Sequence, residues 1–195
     1  MNVLLLGPNN LQITSTILNS GCKVIEYSDK IDISFLIENK VNFIVSYRYR
    51  HIIKPSVLEF LKGNAINLHI SLLPWNRGAD PNLWSFLEDT PKGVTIHYID
   101  EGIDTGDIIA QKEIFFNEEQ ETLATTYNKL NYEIISLFKE NWPFILEGKV
   151  ERKKQPPGGS FHKLLDKKKY EYLLREKGWN TLVKDLKGKA LKNNT

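Results

Sequence analysis

Cysteine is almost absent from this 195-residue chain, Cys22 being the single one, which excludes an intramolecular disulfide framework and any multi-cysteine metal site. No apolar run approaches the roughly 18 residues of a membrane span, and the run in MNVLLLGPNN is too short for a signal peptide. Internal repeats and low-complexity tracts are missing as well. What is present is 41% hydrophobic and 26% charged residues, enough to bury a core and too apolar for a disordered or fibrous chain. The length fits one domain, or a domain with a short appendage. The expectation is a soluble, cytoplasmic globule.

Charge is unevenly spread. Residues 1–150 carry 13 Lys and Arg against 19 Asp and Glu, whereas residues 151–195 carry 13 against 5. A basic tail of this kind could meet RNA, nucleotide phosphates or anionic lipid, although a solvated polar helix is the more ordinary reading.

Strand and helix alternate along the first half. Asn2–Gly7 reads as a buried strand, because Val3, Leu4, Leu5 and Leu6 form a continuous apolar run. Asn9 or Asn10 can cap a helix that stops at Gly21. Strands at Cys22–Glu26, Val41–Ser46 and Ala65–Ile70 follow, with short helices near Ile33–Asn39 and Ser56–Lys62, the latter opened by Pro55. This rhythm predicts an α/β fold with a doubly wound, mostly parallel Rossmann-like sheet and helices on both faces. Later come strands at Gly93–Ile99 and Ile108–Phe116, joined by the loop Asp100–Asp107, and a helix from about Gln120 to Asn141 that Pro143 should kink or end. A basic helix is expected over Lys167–Lys177, ending at Gly178. The organisation expected is a domain over 1–150 and a short basic extension, loop plus helix, over 151–195.

Three segments stand out. Gly7-Pro8-Asn9-Asn10 is a strand-to-helix turn where an anion could sit, but it lacks the G-x-G-x-x-G spacing of a dinucleotide site and reads better as a structural turn. In Asn67-Leu68-His69, two polar residues spaced i, i+2 near a strand's carboxyl end share one face, where open α/β sheets place ligands. Behind it, Ser71–Gly78 gathers a turn-former, an aromatic, an amide and a guanidinium. The acidic loop Asp100-Glu101-Gly102-Ile103-Asp104-Thr105-Gly106-Asp107 does not match an EF-hand, since Gly102 stands where a second ligand belongs. Its glycines suit a tight turn that presents one carboxylate inward, and taken alone a plain turn is the favoured reading.

Together, INLHISLLPWNRG (66–78) and GVTIHYIDEGIDTGDII (93–109) resemble the formyltransferases that use 10-formyltetrahydrofolate. The resemblance covers about residues 1–115. It implies a triad of Asn67, His69 and Asp104, with Ile52 and Ile53 lining a folate pocket closed on its other side by the loop from Asp100 to Asp104. The family includes enzymes acting on methionyl-tRNA, glycinamide ribonucleotide and sugar nucleotides, and a formyltetrahydrofolate hydrolase. Only about 45 residues follow position 150, against the extra tRNA-gripping domain of the methionyl-tRNA enzymes. The first turn departs from the glycine- and serine-rich phosphate loop of the glycinamide ribonucleotide enzymes, and the chain starts at its first strand rather than with the hydrolase's regulatory domain. WNRGADPNLW (75–84) and GGSFH (158–162) look most like the sugar N-formyltransferases.

The resemblance therefore implies transfer of a formyl group to the primary amine of a small substrate, foremost a nucleotide-linked amino sugar. An RNA-directed activity, the glycinamide ribonucleotide reaction and the hydrolysis stand as alternatives. Asn67 would donate to the developing oxyanion. His69 would donate to the same oxygen when protonated, or take the amine's proton when neutral. Asp104 would raise the His69 pKa and relay a proton through water to folate N10. Trp75, Asn76, Arg77 and Asn82 are the expected substrate contacts, Arg77 suiting a diphosphate; Trp84 fits the substrate side or the core equally. The expected cosubstrate is 10-formyltetrahydrofolate with no metal. The expected partner is a small-molecule amine, foremost a nucleotide sugar, with nucleic acid disfavoured, no membrane, and a homodimer as one option.

Overall fold

The computed structural model describes residues 1–191; residues 192–195, the end of the expected basic extension, lie outside the described residues. The chain forms two compact units, neither of them a single stretch. One comprises Met1–His69, Thr95–Ala110 and Ile134–Gln155; the other comprises Ile70–Val94, Gln111–Glu133 and the chain from Pro156. The extension expected from residue 151 is thus shared between them.

The first unit is built on parallel strands. β1 (Asn2–Leu6) pairs with β2 (Lys23–Tyr27) and β3 (Phe43–Tyr47), and β3 pairs with β4 (Ala65–His69), all parallel. β6 (Gly93–Tyr98) joins β4 antiparallel, and β7 (Ile108–Glu113) completes the sheet order β2-β1-β3-β4-β6-β7. Alternation along β1 and β3 sends successive apolar residues to opposite faces. Leu4, Leu6, Ile44 and Ala65 pack with Leu36 of α2 (Ile33–Glu38) and with Val57 and Leu58 of α3 (Pro55–Phe60). On the other face, Phe43 meets Trp142 edge-on at 5.6 Å, and the Trp142 indole donates to Ser20 Oγ beyond α1 (Leu11–Asn19) at 3.0 Å. Helices therefore cover both faces. Each large side chain buried this way stabilises the fold by about 1.5–3 kcal/mol.

Local signals set the helix starts. The Asn10 side chain accepts from Gln12 N and Ile13 N, capping α1, and Asp32 does the same for Phe35 N at the start of α2. Pro143 does not end its helix: α5 runs over Leu123–Leu146. The proline ring is exposed and its missing N–H forfeits one bond, while buried Trp142 and Ile145 anchor the final turn. No helix among the described residues is long and apolar enough to cross a membrane.

The second unit has its own core, in which Leu83, Trp84, Phe86 and Leu87 of α4 (Pro81–Leu87) pack with Leu123 and with Val183 and Leu186 of α6 (Val183–Leu186). Two-residue strands β5 (Arg77–Gly78) and β8 (Phe161–His162) pair in parallel. The expected basic helix over Lys167–Lys177 is instead a 3-10 helix over Asp166–Leu174. Threefold winding stacks Tyr170 and Leu173 on one side, and both pack against this core.

Candidate active site

β4 carries Asn67 and His69 on one face near its carboxyl end, as the i, i+2 spacing requires. Its antiparallel partner β6 sets Thr95 opposite His69 and His97 opposite Asn67. Cross-strand partners share a face, so two imidazoles and a carboxamide emerge together. The two imidazoles meet edge-on, with ring centroids 6.2 Å apart. His69 is 7% exposed and His97 is 2%.

Asp104 comes from the loop after β6. Its Oδ1 lies 3.1 Å from Asn67 Nδ2 and 3.3 Å from His97 Nε2, and its Oδ2 lies 3.7 Å from His69 Nδ1. The loop is tightly determined. Tyr98 N donates to Asp107 O at 2.9 Å, closing its base. The Asp100 carboxylate accepts from Gly102 N at 3.1 Å and from Thr105 Oγ1 at 2.6 Å. A side chain at Gly106 would place its Cβ 1.9 Å from Tyr98 O, so only glycine fits there. Asp104 itself sits in the left-handed region at φ 54°, strain of order 1–3 kcal/mol that its surroundings must overcome.

Hydrogen-bond polarity assigns the His97 tautomer. Nδ1 is 2.8 Å from Tyr98 O, a carbonyl that can only accept, so Nδ1 carries hydrogen. Nε2 faces two groups, Asn67 Nδ2 at 3.2 Å and Asp104 Oδ1 at 3.3 Å. The Asn67 amide donates to Asp104 Oδ1, and Asn67 Nδ2, His97 Nε2 and Asp104 Oδ1 lie within 3.1–3.3 Å of one another. Nothing in the strand Gly93–Ile99 had singled His97 out; the available signal was polar Thr95 and His97 alternating with apolar Val94 and Ile96.

The other expected site residues lie in varied surroundings. Ile53 belongs to the core of the first unit at 8% exposure, while Ile52 is 80% exposed. Asp100 shapes its own loop, as described. Trp75, Asn76, Arg77 and Asn82 belong to the second unit. Asn76 is wholly buried, donating from Nδ2 to Thr90 Oγ1 at 2.7 Å and accepting from Ser160 Oγ at 3.2 Å. Asn82 donates to Leu123 O and accepts from Thr126 Oγ1. Trp75 closes a turn through its N–H to Leu72 O at 3.1 Å, and its carbonyl accepts from Ser71. Arg77 pairs with Phe161 across β5 and β8, and its Nε is buried with no hydrogen-bond partner. Trp84 is core, stacked on the His162 ring at 3.7 Å, with His162 held by Glu88 at 3.1 Å.

A profile of the formyl transferase family matches residues 23–138. The chain belongs to the formyl transferase family. Methionyl-tRNA formyltransferase of Listeria monocytogenes is 37% identical over 123 residues, 63% of this chain and 39% of that protein. The chain thus spans well under half the length of such curated relatives. Among solved structures, the formyltransferase PseJ from Anoxybacillus kamchatkensis, in complex with UDP-4,6-dideoxy-4-formamido-L-AltNAc and tetrahydrofolate, matches with TM-score 0.93 and 55% identity, over 97% of this chain and 100% of that one. The N-formyltransferase from Helicobacter canadensis, in complex with folinic acid and dTDP-3-aminofucose, matches at 0.69 and 25%, over 84% and 71% respectively.

Proposed function

We propose that this chain transfers the formyl group of 10-formyltetrahydrofolate to the primary amine of a UDP-linked 4-amino-4,6-dideoxy sugar, the amine corresponding to the formamido sugar that PseJ holds. The observation carrying this reading is the grouping of Asn67, His69, His97 and Asp104 within 3.1–3.7 Å contacts, in a chain 55% identical to PseJ along nearly its whole length.

The amine nitrogen bonds to the formyl carbon, the carbon–N10 bond breaks, and one amine proton ends on N10. Asn67 supplies an N–H to the oxygen that becomes negative between these events, a contribution of roughly 10²–10³ in rate. In the resting arrangement the Asn67 amide donates to Asp104. The bond to Asp104 is the one exchanged, because a carboxylate that picks up a proton weakens as an acceptor. His69 faces the same carboxylate and moves the amine's proton towards it, and Asp104 passes a proton through water to N10. His97 holds Asn67 in plane. Ile52 and the Asp100–Asp104 loop are the proposed folate contacts, and Arg77 the proposed diphosphate contact. No metal takes part in these steps, and a cytoplasmic setting, consistent with the single cysteine, belongs to the same proposal.

The test is mass spectrometry of reactions holding 10-formyltetrahydrofolate and UDP-4-amino-4,6-dideoxy-L-AltNAc, with dTDP-3-amino sugars and initiator methionyl-tRNA alongside. Gain of one CO by the UDP sugar is expected, and Asn67→Ala should slow it by about 10²–10³. Formylation of the tRNA alone, or formate release with no acceptor modified, would overturn the reading.

A further inference from the structure

Gln155 stands 51 residues beyond Asp104, yet its side-chain Nε2 donates to Asp104 O at 2.8 Å and to Gly106 O at 2.9 Å. Both partners are carbonyls, so the group facing them must offer two hydrogens at once. A carboxamide does so without charge; a carboxylate of the same shape cannot. The side-chain oxygen of Gln155 is buried with no hydrogen-bond partner, so the two donated bonds are what hold the amide. The two carbonyls flank Thr105, and together they fix the chain as it leaves the left-handed turn at Asp104.

The segment presenting Gln155 is tied to the same strands. The Arg152 guanidinium lies 3.7 Å from the centroid of the Tyr98 ring. Lys153 and Ile108 exchange backbone hydrogen bonds of 2.7 and 3.0 Å. The strap from Arg152 to Gln155 is therefore anchored on both sides of the acidic loop before its last residue reaches in.

We propose that Gln155 is a positioning residue for formyl transfer, pinning the Asp104–Gly106 backbone so that the Asp104 carboxylate stays against Asn67 and His69. The proposal rests on the part assigned above to Asp104. It is tested with full-length Gln155→Leu and Gln155→Glu, using 10-formyltetrahydrofolate and UDP-4-amino-4,6-dideoxy-L-AltNAc. Loss of two hydrogen bonds should lower kcat by about 10–100-fold, with the KM for the UDP sugar within about threefold of wild type. In Gln155→Glu, the ratio of variant to wild-type kcat should climb as pH falls, since the protonated acid regains one donor; in Gln155→Leu it should stay flat. A kcat within twofold of wild type in the Leu variant, or a flat ratio in the Glu variant, overturns the proposal. If the Leu variant unfolds at the assay temperature, the Glu variant's pH profile decides. Hydrogen exchange separates this from failure of the function itself. Amides of residues 102–107 should exchange at least tenfold faster in the variants whether or not the wild type formylates this sugar, and unchanged exchange there would refute the pinning.

Discussion

Replacing His97 isolates the contribution of a side chain that touches no substrate in the scheme proposed here. The ring is 2% exposed, gives one hydrogen bond to Tyr98 O, and brings Nε2 within 3.2 Å of Asn67 Nδ2 and 3.3 Å of Asp104 Oδ1. Truncation to alanine removes these contacts and leaves a cavity, costing about 2–4 kcal/mol of stability. Catalysis suffers separately, because the Asn67 amide keeps Asp104 alone as a fixed partner and can rotate out of plane. One lost aligning bond of about 1–2 kcal/mol corresponds to a 5- to 30-fold fall in kcat. Two near-isosteres sharpen the test. His97→Gln places an amide oxygen near the former Nε2 position, where it can still accept from Asn67; the shorter amide of His97→Asn reproduces only the Nδ1 side. The glutamine variant should therefore recover most of the lost kcat and the asparagine variant little of it. The assay is steady-state formyl transfer below the midpoint of each variant's thermal unfolding. Equal activity in the glutamine and asparagine variants, or an alanine variant within twofold of wild type, would refute the role given to Nε2.

Gly106→Ala should destabilise the protein by about 1–3 kcal/mol and lower kcat at least tenfold, because its Cβ would fall 1.9 Å from Tyr98 O and backbone must shift; thermal unfolding and kinetics check both, and an unperturbed Tm would count against it. Lys92 offers a pH test. Burial holds its pKa below the ordinary 10.5, against the pull of Asp89 and Glu118. The unfolded chain thus keeps the proton in a window just below 10.5 where the folded chain has released it, so stability rises with pH across that window and the burial cost is felt in full below it. The unfolding free energy of wild type relative to Lys92→Met should become more favourable as pH climbs towards 10.5; a constant difference would contradict the burial effect.

The strands that build the sheet were legible because β1 and, apart from Ser46, β3 are apolar at their central positions and buried on both faces. Asn67 and His69 were legible for a related reason: two polar side chains at i, i+2 interrupt a strand that otherwise has no use for them. Asp104 was picked out of its loop only by the family resemblance, since the loop taken alone reads as a plain turn. His97 was not, because its meaning lies in a register. Only the antiparallel pairing that sets it opposite Asn67 turns a buried histidine into part of the cluster. Gln155 was hidden by distance along the chain, in a segment whose prolines and glycines read as loop. Asn76 and Asn82 show the opposite difficulty. The resemblance suggests them as substrate contacts, and in the fold their side chains bond buried hydroxyls and carbonyls such as Thr90 Oγ1 and Leu123 O. A sequence displays a polar group but not the partner that satisfies it.

The direction of β6 explains why the acidic loop needs so many restraints. β6 runs against β4, so its last residue, Tyr98, lies opposite Ile66 and the chain leaves near the start of β4, with Ile99 N bonded to Ala65 O. Asp104 nevertheless meets His69, four residues further along, a distance of about 13 Å on an extended strand. The loop must therefore double back along the strand face and return, since Asp107 O bonds Tyr98 N. Asn67, His69 and His97 are held by strand pairing, whereas the carboxylate is held by what ties this excursion down: Asp100 to Thr105, the bare Cα of Gly106 against Tyr98 O, and Gln155. Loosening any of these ties leaves the strand-borne groups in place and moves the carboxylate with its loop, so the damage belongs in kcat and in the KM for the folate the loop is proposed to contact, with binding of the amine substrate largely spared.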